Sequence, residues 1–142
     1  MTITSEQQMI NLGKKIAADL RGGDVVLLYG DLGAGKTTLT KGIALGLGIE
    51  SNIVSPTFTL LQVYKVHKVR KVKSLVHIDT YRLEYEKQLL EIGAQDYIGD
   101  PETICVIEWP EKVKKLIDGK KIVKIKIEHA KNGRKVVVEG LR

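Results

Sequence analysis

Several features are scarce or absent in this sequence, and each of these absences excludes a class of protein. One cysteine among 142 residues cannot form an internal disulfide framework or a zinc site of several thiolates. No apolar run approaches the roughly 20 residues of a membrane-spanning helix. The first ten residues, MTITSEQQMI, lack the basic and apolar regions of a secretory signal. We therefore expect a cytoplasmic protein with no membrane contact.

The composition that remains is typical of an ordinary globular domain. Hydrophobic residues make up 43% and charged residues 28% of the chain, which is long enough to bury a core without covalent staples. No internal repeat, low-complexity tract or Pro/Ser-rich linker divides the chain. We expect one domain that covers residues 1–142.

The net charge of +6 is concentrated in two basic stretches. Residues 65–73 contain five Lys/Arg and no acid, and residues 111–135 contain ten Lys/Arg and three acids. Lysines that alternate with apolar residues are typical of the solvated face of a strand. The same stretches could also face nucleic acid or an acidic partner. The sequence leaves both interpretations open, and we expect both stretches to lie on marginal strands.

The apolar patterns predict an α/β fold in which helices flank a mixed sheet. Continuous apolar runs such as 24–29 and 103–108 are typical of buried parallel strands. The connection between 59–69 and 74–79 is too short for a helical crossover, so these strands are expected to pair antiparallel. Asn132-Gly133 predicts a hairpin. The predicted strands are 24–29, 59–69, 74–79, 103–108, 120–129 and 134–140, and the predicted helices are 5–20, 36–47, 84–98 and 110–116. The sheet is expected to be parallel at its centre and antiparallel at its margins.

A glycine-rich pattern between the first long strand and the second helix predicts a phosphate-binding loop. Gly30–Thr37 matches G-x-x-x-x-G-K-[ST] without deviation. Gly33 and Gly35 permit backbone conformations that a Cβ would block. Successive N–H groups can then point at a phosphate at a helix N-terminus. Lys36 is expected to reach the β- and γ-phosphates as a point charge, and Thr37 offers a hydroxyl oxygen to Mg²⁺.

Two acids stand at the ends of apolar strands and are candidates for the chemistry of hydrolysis. Asp79 ends the run LVHID, and Glu108 ends the run ICVIE. Ligands of open α/β sheets bind at the carboxyl ends of the strands, where either acid could hold Mg²⁺ or orient water. An acid at the end of a strand is also a common cap or turn residue, so the structural interpretation stays open.

Other residues carry weaker signals. Ser55-Pro56-Thr57 is interpreted either as a switch-like loop whose hydroxyl reaches Mg²⁺ or as a plain proline turn. Trp109 is interpreted either as packing or as part of the site, and Cys105 is expected to be a small buried hydrophobe. The three histidines at positions 67, 77 and 129 have no spacing typical of metal ligands.

Four segments together resemble a known family: GDLGAGKTT (30–38), SPTFTL (55–60), HIDTYRL (77–83) and IEWPEK (107–112). Their order and spacing resemble the bacterial ATPases of the TsaE (YjeE) type, which support threonylcarbamoyladenosine formation in tRNA. The resemblance extends from about residue 5 to residue 116.

The resemblance implies a P-loop NTPase-like fold that binds ATP or ADP with Mg²⁺ and hydrolyses ATP slowly. It implies that Asp79 is the Walker B acid and that Glu108 lies near Mg²⁺ or the attacking water, with Trp109 beside it. Lys36, Asp79 and Glu108 are thus the expected catalytic residues, and Thr37, Asp79 and Glu108 the expected metal ligands. Thr57 would lie in a switch-like loop. The residues implied to cradle the phosphates are Gly30, Asp31, Leu32, Gly33, Ala34, Gly35, Lys36, Thr37 and Thr38.

The resemblance also implies partners. Proteins of this type assemble with a heterodimer of two proteins with sugar-kinase-like folds (TsaD–TsaB type), one of which transfers the threonylcarbamoyl group to the adenosine beside the anticodon. tRNA would be reached through this complex. A separate enzyme makes the threonylcarbamoyl-adenylate, so ATP hydrolysis by this chain would reset the complex between turnovers.

Two positions depart from the family pattern or match it weakly. Met9 replaces a threonine that such proteins place near the nucleotide, so only a backbone contact is expected there. A nucleotide contact by Arg134 is inferred only from its place in the C-terminal hairpin.

Three other functions are alternatives to this one. A small-molecule kinase on the same fold usually needs an arginine-bearing lid, and residues 84–103 contain no arginine. A nucleotide-gated RNA-binding module would use the basic stretches, but the few aromatic residues are not clustered for base stacking. A GTPase is disfavoured because no N-K-x-D motif occurs.

Overall fold

Strands and helices alternate along most of the chain. The computed structural model describes residues 1–56, 59–69 and 71–141. Within them the strands are β1 (Thr2–Ile3), β2 (Asp24–Tyr29), β3 (Leu61–Val69), β4 (Val72–Asp79), β5 (Thr103–Glu108), β6 (Lys121–Ala130) and β7 (Gly133–Glu139). The helices are α1 (Glu6–Asp19), α2 (Lys36–Gly46), α3 (Lys87–Glu91) and α4 (Lys114–Ile117), and 3-10 turns cover Ala94–Asp96 and Pro110–Lys112.

The strands form one sheet in the order β1-β7-β6-β2-β5-β4-β3. β6, β2, β5 and β4 are parallel. β7, β1 and β3 are antiparallel to their neighbours. The predicted mixed sheet, parallel at its centre and antiparallel at its margins, is therefore confirmed. Since the central strands are parallel, the carboxyl ends of β2, β4 and β5 meet at one edge of the sheet.

One face of the sheet is covered by α1 and α2. Ser5 caps α1, since its hydroxyl accepts a hydrogen bond from the Gln8 amide at 3.1 Å. The two helices approach closely at Gly13, where a Cβ would lie 2.6 Å from the carbonyl oxygen of Leu39. Buried side chains of both helices and of β2, such as Val26, complete this core. α2 is thereby held with its N-terminus at the carboxyl end of β2.

The second face is covered by the segment between β4 and β5 and by residues that follow β5. Val25, Val76 and Ile107 of the sheet pack there against apolar residues such as Leu89 and Val113. The strands β2, β4 and β5 are thus buried on both faces, as their continuous apolar runs predict.

Two predicted helices differ from the observed structure. The predicted helix at 84–98 is wrong in extent, because the chain leaves the helix before Gly93, whose φ of 80° is left-handed. The predicted helix at 110–116 is likewise divided into a 3-10 turn and α4. β1 was not predicted, because two residues are too few to show an alternating pattern.

The basic stretches occupy different places in the sheet. Residues 65–69 lie on β3 at one margin of the sheet, as expected, and residues 72–73 lie on its neighbour β4. The placement of 111–135 on a marginal strand is wrong, since β6 lies between β7 and β2. Lys124 and Lys126 of β6 are nevertheless exposed, while Val123, Ile125 and Ile127 between and beside them are buried.

In residues 1–56, 59–69 and 71–141, no helix is long and apolar enough to cross a bilayer.

Candidate functional site

The glycine loop joins β2 to α2 at the edge where the central strands end. Gly33 and Gly35 have φ values of 76° and 110°, a left-handed conformation that strains residues with a side chain. Gly35 directly precedes the first residue of α2. The loop therefore presents backbone amides at a helix N-terminus, where the partial positive charge favours an anion.

Lys36, the first residue of α2, is 5% exposed and has two contacts above the loop. Its Nζ donates a hydrogen bond to the Gly30 carbonyl at 2.5 Å and lies 3.6 Å from the ring centroid of Trp109. Burial lowers the pKa of the Lys36 ammonium, and the carboxylates of Glu108 and Asp79 act in the opposite direction. The Lys36 ammonium is thus held near the carboxylates of Asp79 and Glu108, next to the glycine loop.

The two predicted acids are neighbours in the sheet. Asp79 of β4 and Glu108 of β5 are register partners, and both are nearly buried, with exposures of 4% and 3%. Asp79 accepts hydrogen bonds from the Tyr81 amide at 2.9 Å and from the Ser55 hydroxyl at 3.0 Å. Glu108 Oε2 lies 2.6 Å from His77 Nε2. Both carboxylates are therefore held by specific partners at the edge of the sheet.

Trp109 changes the direction of the chain directly after β5. Its φ of 59° is left-handed, which is uncommon for a bulky residue. The Thr80 hydroxyl donates to the carbonyl oxygens of Glu108 at 3.0 Å and of Trp109 at 2.5 Å. The indole also lies 5.1 Å from the Tyr81 ring, centroid to centroid. These contacts hold the indole over Lys36.

These groups line one cavity of about 420 Å³. The residues that line it are Leu32, Gly33, Gly35, Lys36, Thr37, Thr38, Ser55, Asp79, Tyr81, Arg82, Glu108 and Trp109. The structure thus brings the loop, both predicted acids and Trp109 to one site, although they come from three separate segments of the sequence.

A second cavity, of about 330 Å³, adjoins the first and shares Gly33, Gly35 and Thr38 with it. Met9 and Arg134 lie here, together with residues of β1 and the start of α1. Arg134 donates from Nε to the Ala34 carbonyl at 3.2 Å and from Nη2 to the Gly33 carbonyl at 3.3 Å. The C-terminal hairpin therefore touches the backbone of the glycine loop directly.

Two predicted site residues, Gly30 and Asp31, lie apart from both cavity linings. Gly30 contributes its carbonyl oxygen to Lys36, and the exposed Asp31 accepts a backbone hydrogen bond from Ala34. Thr57 lies outside the described residues. Sequence reasoning missed His77, Tyr81 and Arg82 as members of the site. All three fall within the segment HIDTYRL, which was the signal available.

The site offers oxygen donors of the kind that Mg²⁺ prefers. In the part of the chain that the structure describes, no group of three or more His, Cys, Asp or Glu side chains could hold a metal by itself. Thr37, Asp79 and Glu108 offer hard oxygens around the cavity. Mg²⁺ is usually held by one or two carboxylates together with phosphate oxygens and waters. The donor set therefore fits Mg²⁺ that arrives with a phosphorylated ligand.

The mixed sheet and the helices that flank it define the class of this protein, an α/β protein with a glycine-rich loop between β2 and α2. The family model described as "Threonylcarbamoyl adenosine biosynthesis protein TsaE" matches residues 3–136. The chain belongs to the TsaE family.

Individual relatives agree with this assignment. The chain is 45% identical over 109 residues to a protein of Treponema pallidum, covering 77% of this chain and 76% of that protein. It is 42% identical over 115 residues to one of Haemophilus influenzae, covering 78% and 70%. Both are called "tRNA threonylcarbamoyladenosine biosynthesis protein TsaE". The crystal structure of YdiB from Bacillus subtilis superposes with a TM-score of 0.78 at 28% identity, covering 100% of this chain and 84% of that one.

Proposed function

We propose that this chain binds Mg-ATP at the glycine loop, hydrolyses it slowly to ADP, and thereby supports threonylcarbamoyladenosine modification of tRNA. One observation carries the proposal: the loop, Lys36, Asp79 and Glu108 surround a single cavity in a chain of the TsaE family. The name of that family indicates the pathway. The residues that line the cavity indicate that its ligand is a nucleotide.

The phosphates would occupy the first cavity. Backbone amides of the loop would surround the β-phosphate at the N-terminus of α2. The Lys36 ammonium would leave the Gly30 carbonyl and bind phosphate oxygens instead. The nucleoside would extend into the adjoining cavity, towards the Met9 backbone and Arg134.

Thr37, Asp79 and Glu108 are the residues that would hold Mg²⁺. When bound, the metal supplies positive charge that offsets the negative charge on the β- and γ-phosphates. Hydrolysis joins a water oxygen to the γ-phosphorus and breaks its bond to the bridging oxygen, which yields ADP and inorganic phosphate. Glu108 would orient that water by accepting a hydrogen bond from it.

The proposed partner is a heterodimer of the TsaD–TsaB type, and tRNA would be reached through that complex. The family resemblance implies that a separate enzyme activates the threonylcarbamoyl group, so we propose that hydrolysis here resets the complex between turnovers.

Reconstitution tests this proposal. ATP hydrolysis is measured with the chain alone, with the heterodimer, with tRNA, and with both. We expect strong stimulation by the heterodimer. Stimulation by RNA alone would favour an RNA-binding module, and phosphoryl transfer to a metabolite instead of water would favour a kinase.

The matched variant is Glu108→Gln, which keeps the shape of the side chain and removes its charge. We expect it to retain Mg-ATP binding and to hydrolyse ATP about a hundredfold more slowly, because a neutral amide orients water poorly. Unchanged turnover in this variant would assign the role to Asp79 or to the partner.

A further inference from the structure

His77 is a buried polar residue that has no role in the reaction proposed above. It is fully buried in β4, two residues before Asp79. Its Nε2 lies 2.6 Å from Oε2 of Glu108 on the neighbouring strand. The contact thus joins the interior of the sheet to an acid of the candidate site.

The other nitrogen of the ring shows which way this hydrogen bond runs. Among the described residues, His77 Nδ1 is buried without a hydrogen-bond partner. A proton on Nδ1 would be a buried donor without an acceptor, which is unfavourable. The ring is therefore assigned as the Nε2–H tautomer, and Nε2–H donates a hydrogen bond to the Glu108 carboxylate.

The same hydrogen bond determines the orientation of Glu108. Glu108 lines the cavity and His77 does not, so the oxygen that faces His77 is directed away from the ligand. The backbone of Glu108 is anchored as well, by the Thr80 hydroxyl. With one carboxylate oxygen held by His77, the second remains for the cavity.

We propose that His77 is a positioning residue that fixes the Glu108 carboxylate for ATP hydrolysis. This inference rests on the proposed function, since it assigns His77 a part in that same reaction. His77 is fully buried and does not line the cavity, so it would act only through Glu108. A purely structural role would instead change the free energy of unfolding and leave turnover unchanged.

Two substitutions separate these roles. His77→Leu removes the donor, whereas His77→Gln can place an amide N–H near the position of Nε2. We expect kcat for ATP hydrolysis to fall by about tenfold or more in His77→Leu, because a misplaced catalytic group is costly. KM for ATP should stay within about twofold, since phosphate binding uses other residues. His77→Gln should recover most of kcat.

Leu75→Ala is the matched control. Leu75 lies two residues earlier on the same face of β4 and is equally buried, and its register partner on β5 is Ile104, four residues before Glu108. We expect this variant to unfold at lower urea concentration and to keep kcat. A normal kcat in folded His77→Leu would overturn the inference, as would an equal loss of kcat in Leu75→Ala.

A measurement without turnover distinguishes this inference from the proposed function. The ¹⁵N resonances of the His77 ring in the wild-type chain report its tautomer, and we expect Nε2–H with a shift that changes in Glu108→Gln. A proton on Nδ1 would overturn the inference even if ATP is hydrolysed. Absence of hydrolysis in every reconstituted mixture would instead reject the proposed function. If His77→Leu does not fold, the ring resonances and His77→Gln decide the question.

Discussion

Lys36 has two contacts that a phosphate would have to replace. Its ammonium is bound to the Gly30 carbonyl and lies against the Trp109 ring. Both contacts are weaker than the attraction between an ammonium and a phosphate in a partly buried site. Nucleotide binding should therefore release Lys36 from Trp109 and change the surroundings of the indole.

We expect Lys36→Ala to abolish nucleotide binding, since the loop then loses the positive charge that opposes the phosphates. The fluorescence of Trp109, the single tryptophan, is the measurement: ADP should change it in the wild-type chain and leave it unchanged in the variant. Lys41→Ala is the control, because Lys41 lies on the same helix outside the cavity. Tight ATP binding by Lys36→Ala would contradict the assignment.

The residues of the site differ in how far the sequence could predict them. The glycine loop was predictable because its pattern is local and its chemistry depends on adjacent residues. The contact between His77 and Glu108 was not, because it depends on the register of two strands 31 residues apart in sequence. The turn at Trp109 was missed for the same reason, since its anchor, Thr80, belongs to another segment.

At the scale of elements, the β6–β7 hairpin extends the sheet and also contacts the glycine loop. Arg134 reaches from β7 to two carbonyl groups of the glycine loop, about a hundred residues earlier in the chain. A guanidinium with several donors can hold both carbonyls at once. The hairpin therefore helps to keep the amides of the loop turned towards the cavity.

Replacing Arg134 by methionine should test this support, because the apolar stem is largely kept and the donors are lost. We expect ADP to bind about three- to tenfold more weakly, in line with the loss of one or two charged hydrogen bonds at a partly exposed position. Calorimetric titration measures the affinity. Lys135→Met, the neighbouring residue on the opposite face of β7, should bind ADP normally, and equal affinity in both variants would contradict the role of Arg134.

The elements themselves were predicted unevenly. β2, β4 and β5 were evident because strands buried on both faces are continuous apolar runs. The region of α3 was not, because helical composition between 84 and 98 does not show that Gly93 adopts a left-handed conformation. β1 depends on pairing with β7 rather than on any pattern of its own.

At the scale of the whole molecule, the parallel order of the central strands brings the residues of the site together. β2, β5 and β4 lie side by side and end at the same edge. Local patterns predicted these three strands, the mixed character of the sheet and the two antiparallel pairs β3–β4 and β6–β7, but not the order of the parallel strands. The position of β6 beside β2 shows this, since its lysine-rich sequence predicted a marginal strand.

Cys105 links the core to the pH dependence of global unfolding. Burial raises the pKa of its thiol from 9.0 to about 12. Between these values the folded chain keeps a proton that the unfolded chain releases, so the free energy of unfolding should decrease as the pH rises. The decrease attributable to this thiol is at most about 4 kcal/mol.

Urea unfolding of the wild-type chain and of Cys105→Val at pH 7 to 10.5 measures this contribution. The difference in the free energy of unfolding between the two chains should change in favour of the valine variant above pH 9. A constant difference across that range would show that the thiol ionises equally in both states.

The paired ends of β4 and β5 make strand length a functional quantity. Asp79 and Glu108 lie side by side because β4 and β5 pair in parallel and end at the same edge of the sheet. Substituting one apolar residue for another inside either strand leaves this alignment intact. Inserting a single residue would shift one carboxylate by about 3.3 Å and turn it to the opposite face. The identity of the apolar residues in these two strands can therefore change much more freely than the number of residues in each strand.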